Sequence, residues 1–413
     1  MNFDLIIIGG GPGGATAAKL AAEYGANVCL LEAAKEGRYK CCAGGVPVSN
    51  EAFSPIPRNV GEREITGGVL VTPEGGPLIF DTTEERDKGY CMFRTDFDKF
   101  LLNLAQDAGV NVLYGNRVKS IDISKLGEVI VSGAQNYRSK CVIIASGIGG
   151  AQLQRTLGME IPPIINGIQA EFDIPESIVD EQFGNRIWEF FYPSIINHGI
   201  AWAFPKRDAV SVGVLGKNVK MNHFNSFLQT PVIKDKITGR KMIAFNARKI
   251  WAAPIPDRMI KKPYREHVMI IGDACGTADP ILYEGIYQAR LSGKLAAEVF
   301  IQAFEDNDFG EERLSQYHHL LMEQLYEKGL QYSYKFHELL YHSGLIDKII
   351  GAAYKIAQED TEIMQSMISL FSGTQTRKII WKTLMSRKWR LLKELGILNG
   401  VRLLPSLLRS LRI

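Results

Sequence analysis

The stretch from Asp4 to Glu32 reads DLIIIGGGPGGATAAKLAAEYGANVCLLE and decides the fold. Residues 4–8 form a short apolar run that ends in glycine, which is typical of a buried strand. Residues 13–25 predict a helix whose many alanines allow close packing, and residues 27–31 predict a second strand. The sequence therefore predicts a βαβ unit at the start of the chain.

The glycines between the first strand and the helix fit the pattern G-x-G-x-x-G at Gly9, Gly11 and Gly14, with Gly13 beside the last of them. In this pattern the glycines allow a tight turn, the approach of a pyrophosphate and close helix–strand contact. The helix N-terminus offers unpaired N–H groups and its positive dipole end. Glu32, at the end of the second strand, suits ribose hydroxyls and disfavours a 2′-phosphate. These features predict a bound dinucleotide, either FAD or NAD.

Later segments favour FAD. A buried strand ends at Gly272-Asp273, where an aspartate suits the ribityl chain of a flavin. Taken singly, Asp273 also fits a helix N-cap and Arg94 a surface ion pair, but their order along the chain favours the cofactor. The candidate FAD contacts outside the glycine loop are Arg94, Ala145, Gly147, Gly272, Asp273, Gly285 and Ile286.

The predicted fold class is α/β, with a Rossmann-like FAD-binding domain, an inserted mixed β-sheet substrate domain and a helical C-terminal region. The FAD-binding domain is expected to be discontinuous, 1–160 plus 265–305, with 45–92 contributing to the substrate side. The substrate domain is expected at 161–264. Residues 306–413 show helical periodicity almost throughout.

Composition is that of a soluble globular protein, with 46% apolar and 23% charged residues in a chain of 413. The six cysteines have no spacing typical of a disulfide framework or a zinc site, so we expect no metal. No apolar stretch reaches the roughly 18 residues that cross a bilayer, and no signal peptide is recognisable. We therefore expect a cytoplasmic protein, peripheral on the inner membrane face at most.

The basic charge is concentrated in the tail. Residues 374–413 carry ten Lys or Arg and one acid, which is a net charge of +9. Since the whole chain carries +3, residues 1–373 carry 3 − 9 = −6. A basic amphipathic helix in 377–413 suits an anionic membrane surface or packing on the protein body, and both remain open. Nucleic acid is not expected, because leucine-rich stripes do not contact bases. The predicted apolar stripe comprises Trp381, Leu384, Met385, Trp389, Leu391, Leu392 and Leu395.

Motifs along residues 1–310 resemble the geranylgeranyl reductase family, within the flavoproteins similar to p-hydroxybenzoate hydroxylase. The Cys42–Pro47 and Trp202–Lys206 segments point to the prenyl reductases in particular. Ile200, Cys275 and Tyr283 depart from the family pattern in segments assigned to the pocket, which makes a different substrate conceivable. The segments that carry the resemblance are Gly9–Gly14 with Glu32, Cys42–Pro47, Arg94–Asp98, Trp202–Lys206, Gly272–Gly276, Tyr283–Ile286 and Ser292–Gly293.

The resemblance places Cys42 close to the flavin, as the catalytic acid or a relay to it. The alternative is a small side chain packed in a glycine-rich turn. Cys41 is the weaker candidate, because adjacent side chains on an extended segment point to opposite faces. Trp202 and Phe204 alternate on a strand and share a face, either as pocket wall or as ordinary core. The expected substrate pocket comprises Gly44, Gly45, Trp202, Phe204, Pro205 and Tyr283.

The resemblance implies an FAD-dependent reductase that saturates carbon–carbon double bonds of geranylgeranyl-type chains on lipids, prenyl diphosphates or a quinone. Two alternatives use the same scaffold: an aromatic monooxygenase or halogenase, and a membrane-surface electron-transfer flavoprotein. No second G-x-G-x-x-G precedes a strand–helix pair, so a dedicated NAD(P) domain is not expected. The reductant is expected to be NAD(P)H or another electron carrier, such as a donor protein.

Overall fold

The computed structural model describes residues 1–73, 77–124, 127–196 and 198–413, so 74–76, 125–126 and 197, inside the expected ranges above, lie outside it. The described chain divides into two compact units, each built from three segments. The first unit comprises 1–38, 95–164 and 254–327, and the second comprises 39–94, 165–253 and 328–413.

The strands are β1 Asn2–Ile8, β2 Val28–Leu31, β3 Gly45–Pro47, β4 Arg63–Ile65, β5 Gly67–Val71, β6 Leu78–Asp81, β7 Gly89–Cys91, β8 Asn111–Leu113, β9 Ser120–Ile123, β10 Val129–Ser132, β11 Asn136–Ile144, β12 Ile164–Asp173, β13 Arg186–Phe190, β14 Gly199–Pro205, β15 Ala209–Gly216, β16 Lys241–Met242, β17 Ile250–Pro256, β18 Tyr264–Arg265 and β19 Val268–Ile270.

The α-helices are α1 Pro12–Glu23, α2 Arg94–Asp107, α3 Ala151–Thr156, α4 Glu176–Gln182, α5 Met221–Leu228, α6 Pro231–Ile237, α7 Ile286–Glu305, α8 Glu311–Leu321, α9 Gln331–Tyr341, α10 Ile346–Ala357, α11 Thr361–Ser372, α12 Arg377–Ser386 and α13 Lys388–Ser410. A π-helical segment, Met322–Leu330, joins α8 to α9.

The first unit is built on a sheet with the strand order β18-β19-β11-β1-β2-β8. The five strands from β19 to β8 run parallel to their neighbours, and β9 and β10 add an antiparallel extension on β11. Their near-continuous apolar sequences fit a parallel sheet buried on both faces. The parallel register places the carboxyl ends of β1, β11 and β19 at one edge, where ligands bind in such folds.

The second unit is built on a mixed sheet with the order β16-β12-β15-β14-β13-β5-β6, with β17 beside β12. Alternate residues of these strands, such as Ala170, Val212 and Phe190, face a core shared with α4, α5 and α6. We call this side the apolar face. The residues between them, such as Gln169 and Ser211, lie on the opposite side, which we call the polar face.

The C-terminal helices α9–α13 belong to the second unit and do not form a unit of their own. Trp381 of α12 is buried against the ring of Phe336, with centroids 4.9 Å apart. Residues 306–327 instead belong to the first unit. The expected α/β class, with its Rossmann-like sheet, second mixed sheet and helical C-terminal part, is confirmed. The two units differ from the expected domain ranges, because α9–α13 pack in the unit of the mixed sheet and residues 306–327 pack in the unit of the parallel sheet.

Candidate active site

The glycine loop joins β1 to α1 in the first unit. A Cβ added at Gly14 would lie 2.1 Å from the carbonyl oxygen of Gly9, so this approach requires glycine. Gly11 is open: the one atom within 4 Å of its missing Cβ is Nη2 of Arg38, at 3.9 Å. The first turn of α1 contains no acidic residue, so its N–H groups and dipole are left to an external anion. The loop therefore fits a pyrophosphate beside Gly11.

Glu32 follows β2 and is buried. Its Oε2 accepts the N–H of Gly10 at 2.8 Å, and its Oε1 accepts the N–H of Ala34 at 2.8 Å. The carboxylate therefore holds the glycine loop in place. It also lies at the position where ribose hydroxyls are expected. Its unused lone pairs remain available to a hydroxyl.

Arg38 is a cofactor-site candidate that the motif did not reveal. Its Nη2 lies 3.1 Å from Oδ2 of Asp98, and its Nε lies 3.5 Å from Oε2 of Glu32. The two carboxylates aim the guanidinium over the glycine loop, where a cation balances a pyrophosphate. No spacing rule in the sequence connects residue 38 to residue 98, so only folding could identify the pair.

Two further strand ends lie at the same edge of this sheet. Residues 145–147 follow β11, and Gly272-Asp273 follow β19 in a short 3₁₀ turn. Oδ1 of Asp273 lies 3.3 Å from the position of a Cβ on Gly285, the N-cap of α7. The structure thus gathers Asp273 and the start of α7 at Ile286 into one place. A carboxylate and an open helix N-terminus there fit the hydroxyls and carbonyls of a flavin chain and ring.

Tyr283 precedes α7 with a φ of 54°, a conformation that side chains rarely adopt. Its hydroxyl lies 3.3 Å from Oδ1 of Asp257, also in the first unit. Burial raises the pKa of this hydroxyl well above its ordinary value, and the charge of Asp257 adds to the shift. Tyr283 is therefore a neutral hydrogen-bond donor, and the structure groups it with the first unit and not with Trp202 and Phe204.

The remaining expected pocket residues lie in the second unit. Gly44 has a φ of 84°, and a Cβ there would lie 2.0 Å from the carbonyl oxygen of Met92. The ring of Phe204 covers Gly45, and the indole of Trp202 covers Gly213. Trp202 is buried on the polar face, and its Nε1–H has no acceptor among the described residues. Trp202 and Phe204 therefore share a face, as expected, away from the apolar core.

Buried polar side chains lie on the same face of the sheet as these aromatic residues. Glu171 of β12 lies 3.0 Å from Nζ of Lys206, and Oγ of Ser211 bonds both groups. Nε2 of Gln169 donates to Oε1 of Glu171 at 2.7 Å, and the Tyr39 hydroxyl reaches the same oxygen at 3.1 Å. Except for Lys206, which the motif included without a role, sequence reasoning missed this group. The signal was present in residues 168–172, where polar and apolar residues alternate.

The two adjacent cysteines have different surroundings. Sγ of Cys41 lies 3.8 Å from the carbonyl oxygen of Trp251, and burial raises the pKa of its thiol to about 12. At Cys42 the contact is made by the main chain and not by the thiol: its carbonyl oxygen accepts a hydrogen bond from Nε2 of Gln169 at 3.1 Å. The environment of Cys41 is that of an inert thiol. Cys42 is therefore the better candidate for chemistry.

Two other expected features have definite places. Arg94 is buried at the first residue of α2, and Pro205 is buried at the end of β14. All six cysteines are free thiols. Within the described residues, no cluster of His, Cys, Asp and Glu has the geometry of a metal site.

Comparison with known proteins identifies the class. A sequence profile described as pyridine nucleotide-disulphide oxidoreductase matches residues 3–159. A digeranylgeranylglycerophospholipid reductase of Methanosphaerula palustris is 30% identical over 358 residues, which cover 82% of this chain and 86% of that protein. The fold and site define an FAD-dependent oxidoreductase. The chain belongs to the geranylgeranyl reductase family of flavoproteins, so the resemblance noted in its motifs is confirmed.

Solved structures show the same fold. A geranylgeranyl bacteriochlorophyll reductase-like protein from Thermoplasma acidophilum superposes with a TM-score of 0.73 at 23% identity, covering 95% of this chain and 98% of that one. A flavin-dependent brominase also gives a TM-score of 0.73, at 15% identity, over 94% of this chain and 100% of that one. The same fold therefore occurs in proteins with different names, so the site and not the fold must be used to argue the chemistry.

Proposed function

We propose that the protein saturates isolated double bonds in geranylgeranyl chains carried by a glycerophospholipid. The observation that supports this most is the pairing of two features. The chain is 30% identical to a digeranylgeranylglycerophospholipid reductase over most of both lengths. It also presents a cysteine, Cys42, in a glycine-rich turn in which the ring of Phe204 covers Gly45.

The first unit would hold FAD through the glycine loop at Gly9–Gly14, Glu32, Asp273 and the start of α7, and Arg94 stays a candidate contact from its motif in the sequence. The chemistry that bound, reduced FAD would supply is a hydride for one carbon of the alkene. An isolated alkene is not polarised, so the other carbon needs a proton from a placed acid. The Cys42 thiol donates that proton and regains one from solvent. Trp202 and Phe204 keep the apolar chain away from water.

The test is an anaerobic reaction. The yellow protein is reduced with dithionite, which replaces the unidentified NAD(P)H or protein donor, and geranylgeranyl-bearing phospholipid is added. Flavin reoxidation with a gain of two hydrogens per double bond is expected. Geranylgeranyl diphosphate and a prenyl quinone serve as competing substrates, and faster turnover of either would replace the lipid. A flavin reoxidised only by oxygen, with an aromatic product, would establish the monooxygenase or halogenase alternative; reoxidation only by a protein acceptor would establish electron transfer.

We also propose that the tail docks on an anionic membrane surface, on the cytoplasmic side. Within the described residues no helix is long and apolar enough to cross a membrane. Part of the predicted stripe is buried, because Trp381, Leu391 and Leu395 pack on the second unit. Beyond a kink at Gly396, however, α13 turns Leu403, Ser406 and Ser410 inward and most of its other apolar residues outward. The exposed row comprises Ile397, Leu398, Val401, Leu404, Leu408 and Leu411.

Basic side chains lie in the same segment as this exposed apolar row. Six exposed basic residues and one acid, Glu394, lie between residue 388 and residue 413. Exposed apolar side chains bordered by Lys and Arg suit the boundary between headgroups and acyl chains. A lipid substrate would be presented at that boundary. The basic residues are Lys388, Arg390, Lys393, Arg402, Arg409 and Arg412.

A further inference from the structure

The residues that hold the main chain at Cys42 are all buried on the polar face of the second unit. Gln169, Lys206 and Ser211 have no exposed area, and Glu171 is 2% exposed. Gln169 and Glu171 alternate on β12 with Ile168, Ala170 and Phe172 of the apolar face. One strand therefore stabilises the fold with one set of side chains and carries a buried polar network with the other.

This network contacts two consecutive peptide units. Nε2 of Gln169 donates to the carbonyl oxygen of Cys42 at 3.1 Å, and Nζ of Lys206 donates to that of Ala43 at 3.3 Å. Nε2 of Gln169 also lies 2.9 Å from the Tyr39 hydroxyl, two residues before the cysteine pair. Holding successive carbonyls fixes the peptide planes on the C-terminal side of Cys42 and so the direction of its Cα–Cβ bond.

The buried charges are not explained by stability. Removing a lysine and a glutamate from water costs several kcal/mol each, and apolar residues of equal volume are often as stable. The opposite face of the same sheet shows such packing in residues 168, 170 and 172. Here Glu171 and Lys206 are fully engaged: Ser211, Gln169 and Tyr39 bond the carboxylate, and the ammonium also lies 4.6 Å from the ring centroid of Phe93. A network with this many bonds has few alternative arrangements.

We propose that Gln169, Glu171 and Lys206 are positioning residues that aim the Cys42 thiol. Gln169 and Lys206 hold the turn directly, and Glu171 fixes both of them. Tyr39 keeps its proton, because burial raises the pKa of its hydroxyl, and it remains a donor to Glu171. Rate depends steeply on such placement, since a shift of about 1 Å in a reacting group can cost on the order of a hundredfold. This proposal rests on the proposed function for the use of the thiol, but not for its position.

Two variants test the network without leaving one buried charge alone. Gln169→Leu removes the bond to Cys42 and keeps the volume, and the double variant Glu171→Gln/Lys206→Met removes both charges together. Ile168→Val is the matched control, one residue earlier on the same strand but on the apolar face. Thermal melting and flavin absorbance confirm that each variant is folded and holds FAD. If the double variant does not fold, Gln169→Leu alone decides.

The first readout does not depend on the proposed function. In a Cys41→Ser background, the alkylation rate of Cys42 by iodoacetamide is followed by mass spectrometry. We expect a change of at least about fivefold in Gln169→Leu and in the double variant, and less than twofold in Ile168→Val. An unchanged rate in Gln169→Leu would overturn the proposal, whether or not the protein reduces prenyl lipids.

The second readout is the rate of flavin reoxidation by geranylgeranyl phospholipid. Gln169→Leu should lower kcat about tenfold and leave KM within twofold. In a Cys42→Ala background the same substitution should cause no further loss, since it acts through Cys42. Additive losses would show that Gln169 acts elsewhere and would refute the positioning role. A wild-type protein that does not oxidise its flavin with any prenyl lipid would refute the proposed function, and the alkylation rates would still decide the positioning role.

Discussion

The two faces of the second unit's sheet carry side chains that are equally buried but differ in kind, apolar on one face and polar or charged on the other. On the apolar face, residues such as Val212 and Phe172 pack on the aromatic core of α5. On the polar face, Glu171 and Lys206 are as deeply buried, yet they are joined by hydrogen bonds. The backbone between the two faces is the same, and only the alternation of side chains differs.

Under the proposed positioning role, the apolar face serves stability and the polar face serves the site. The apolar face gains free energy from every carbon that it removes from water. Burying the polar face costs desolvation free energy, and this cost is offset only while each donor has its acceptor. Substitutions on the two faces should therefore affect different measurements. The largest of these effects is expected at Cys42 and the smallest at the exposed row of α13.

Removing the Cys42 thiol should cause the largest effect. Cys42→Ala is expected to keep FAD, since the glycine loop and Asp273 belong to the first unit. Alkene reduction should fall by about 10²–10⁴-fold, the usual contribution of a placed acid. Flavin content is measured by absorbance, and turnover by the mass of the saturated lipid. Cys41→Ala is the matched control and should retain turnover within about twofold; equal losses in both variants would contradict a chemical role specific to Cys42.

Cys41 should be chemically silent in the folded protein. Burial raises the pKa of its thiol from 9.0 to about 12, so deprotonation is suppressed at neutral pH and increases only as the pH approaches 12. The thiolate fraction at pH 8 is about a thousandfold lower than for an unperturbed thiol. Alkylation in a Cys42→Ala background, followed by peptide mass spectrometry at pH 7–10, measures this. Labelling at the rate of the unfolded protein would contradict the buried environment.

The apolar face should affect stability and not chemistry. Phe227 of α5 is fully buried and packs edge-on against Phe190, with ring centroids 5.0 Å apart. Phe227→Ala should lower the free energy of unfolding by about 3–5 kcal/mol through the lost burial and the cavity. Urea titration measures the loss. Turnover per mole of folded, flavin-loaded protein should stay within about threefold, and a fall comparable to that of Cys42→Ala would break the distinction between the faces.

The same contrast between inward and outward faces applies to α13 and predicts the smallest effect. Leu398→Glu/Leu408→Glu should reduce binding to anionic liposomes about tenfold, because both side chains are exposed in the apolar row. Asn222→Glu/Asn225→Glu on α5 makes the same charge change at exposed positions outside the tail. Co-sedimentation at two salt concentrations measures binding. Equal binding of both variants would refute membrane docking through this row.

Point substitutions are preferable to deletion of 377–413. Trp381, Leu391 and Leu403 are buried, so a truncated chain would expose part of the second unit's core. The predicted stripe proved to contain both kinds of residue: Trp381 lies inside, whereas Trp389 is 74% exposed. Periodicity identified the helices of the tail but could not decide which stripe faces the protein.

The cofactor side of the molecule could be predicted from local sequence. A strand, a glycine loop, a helix and an acid follow one another within residues 4–32, so short-range sterics decide their arrangement. The strand ends at Ala145 and Gly272 could also be predicted, because buried apolar runs that end in glycine have a recognisable pattern. The family also followed from motifs, and the comparisons confirm it. The contribution of Arg38 could not be found in this way, since its partner Asp98 is sixty residues distant.

The sequence alone predicted the α/β class, the dinucleotide-binding glycine loop and the family, because each depends on residues close together along the chain. The resemblance already favoured Cys42 over Cys41, and only the tertiary structure showed which side chains hold the main chain at Cys42. Gln169 contacts a carbonyl 127 residues earlier, and Lys206 contacts one 163 residues earlier. The physical reason is that a buried charge is tolerated only where distant partners converge on it. No local pattern specifies those partners, and they exist only once the sheet has formed.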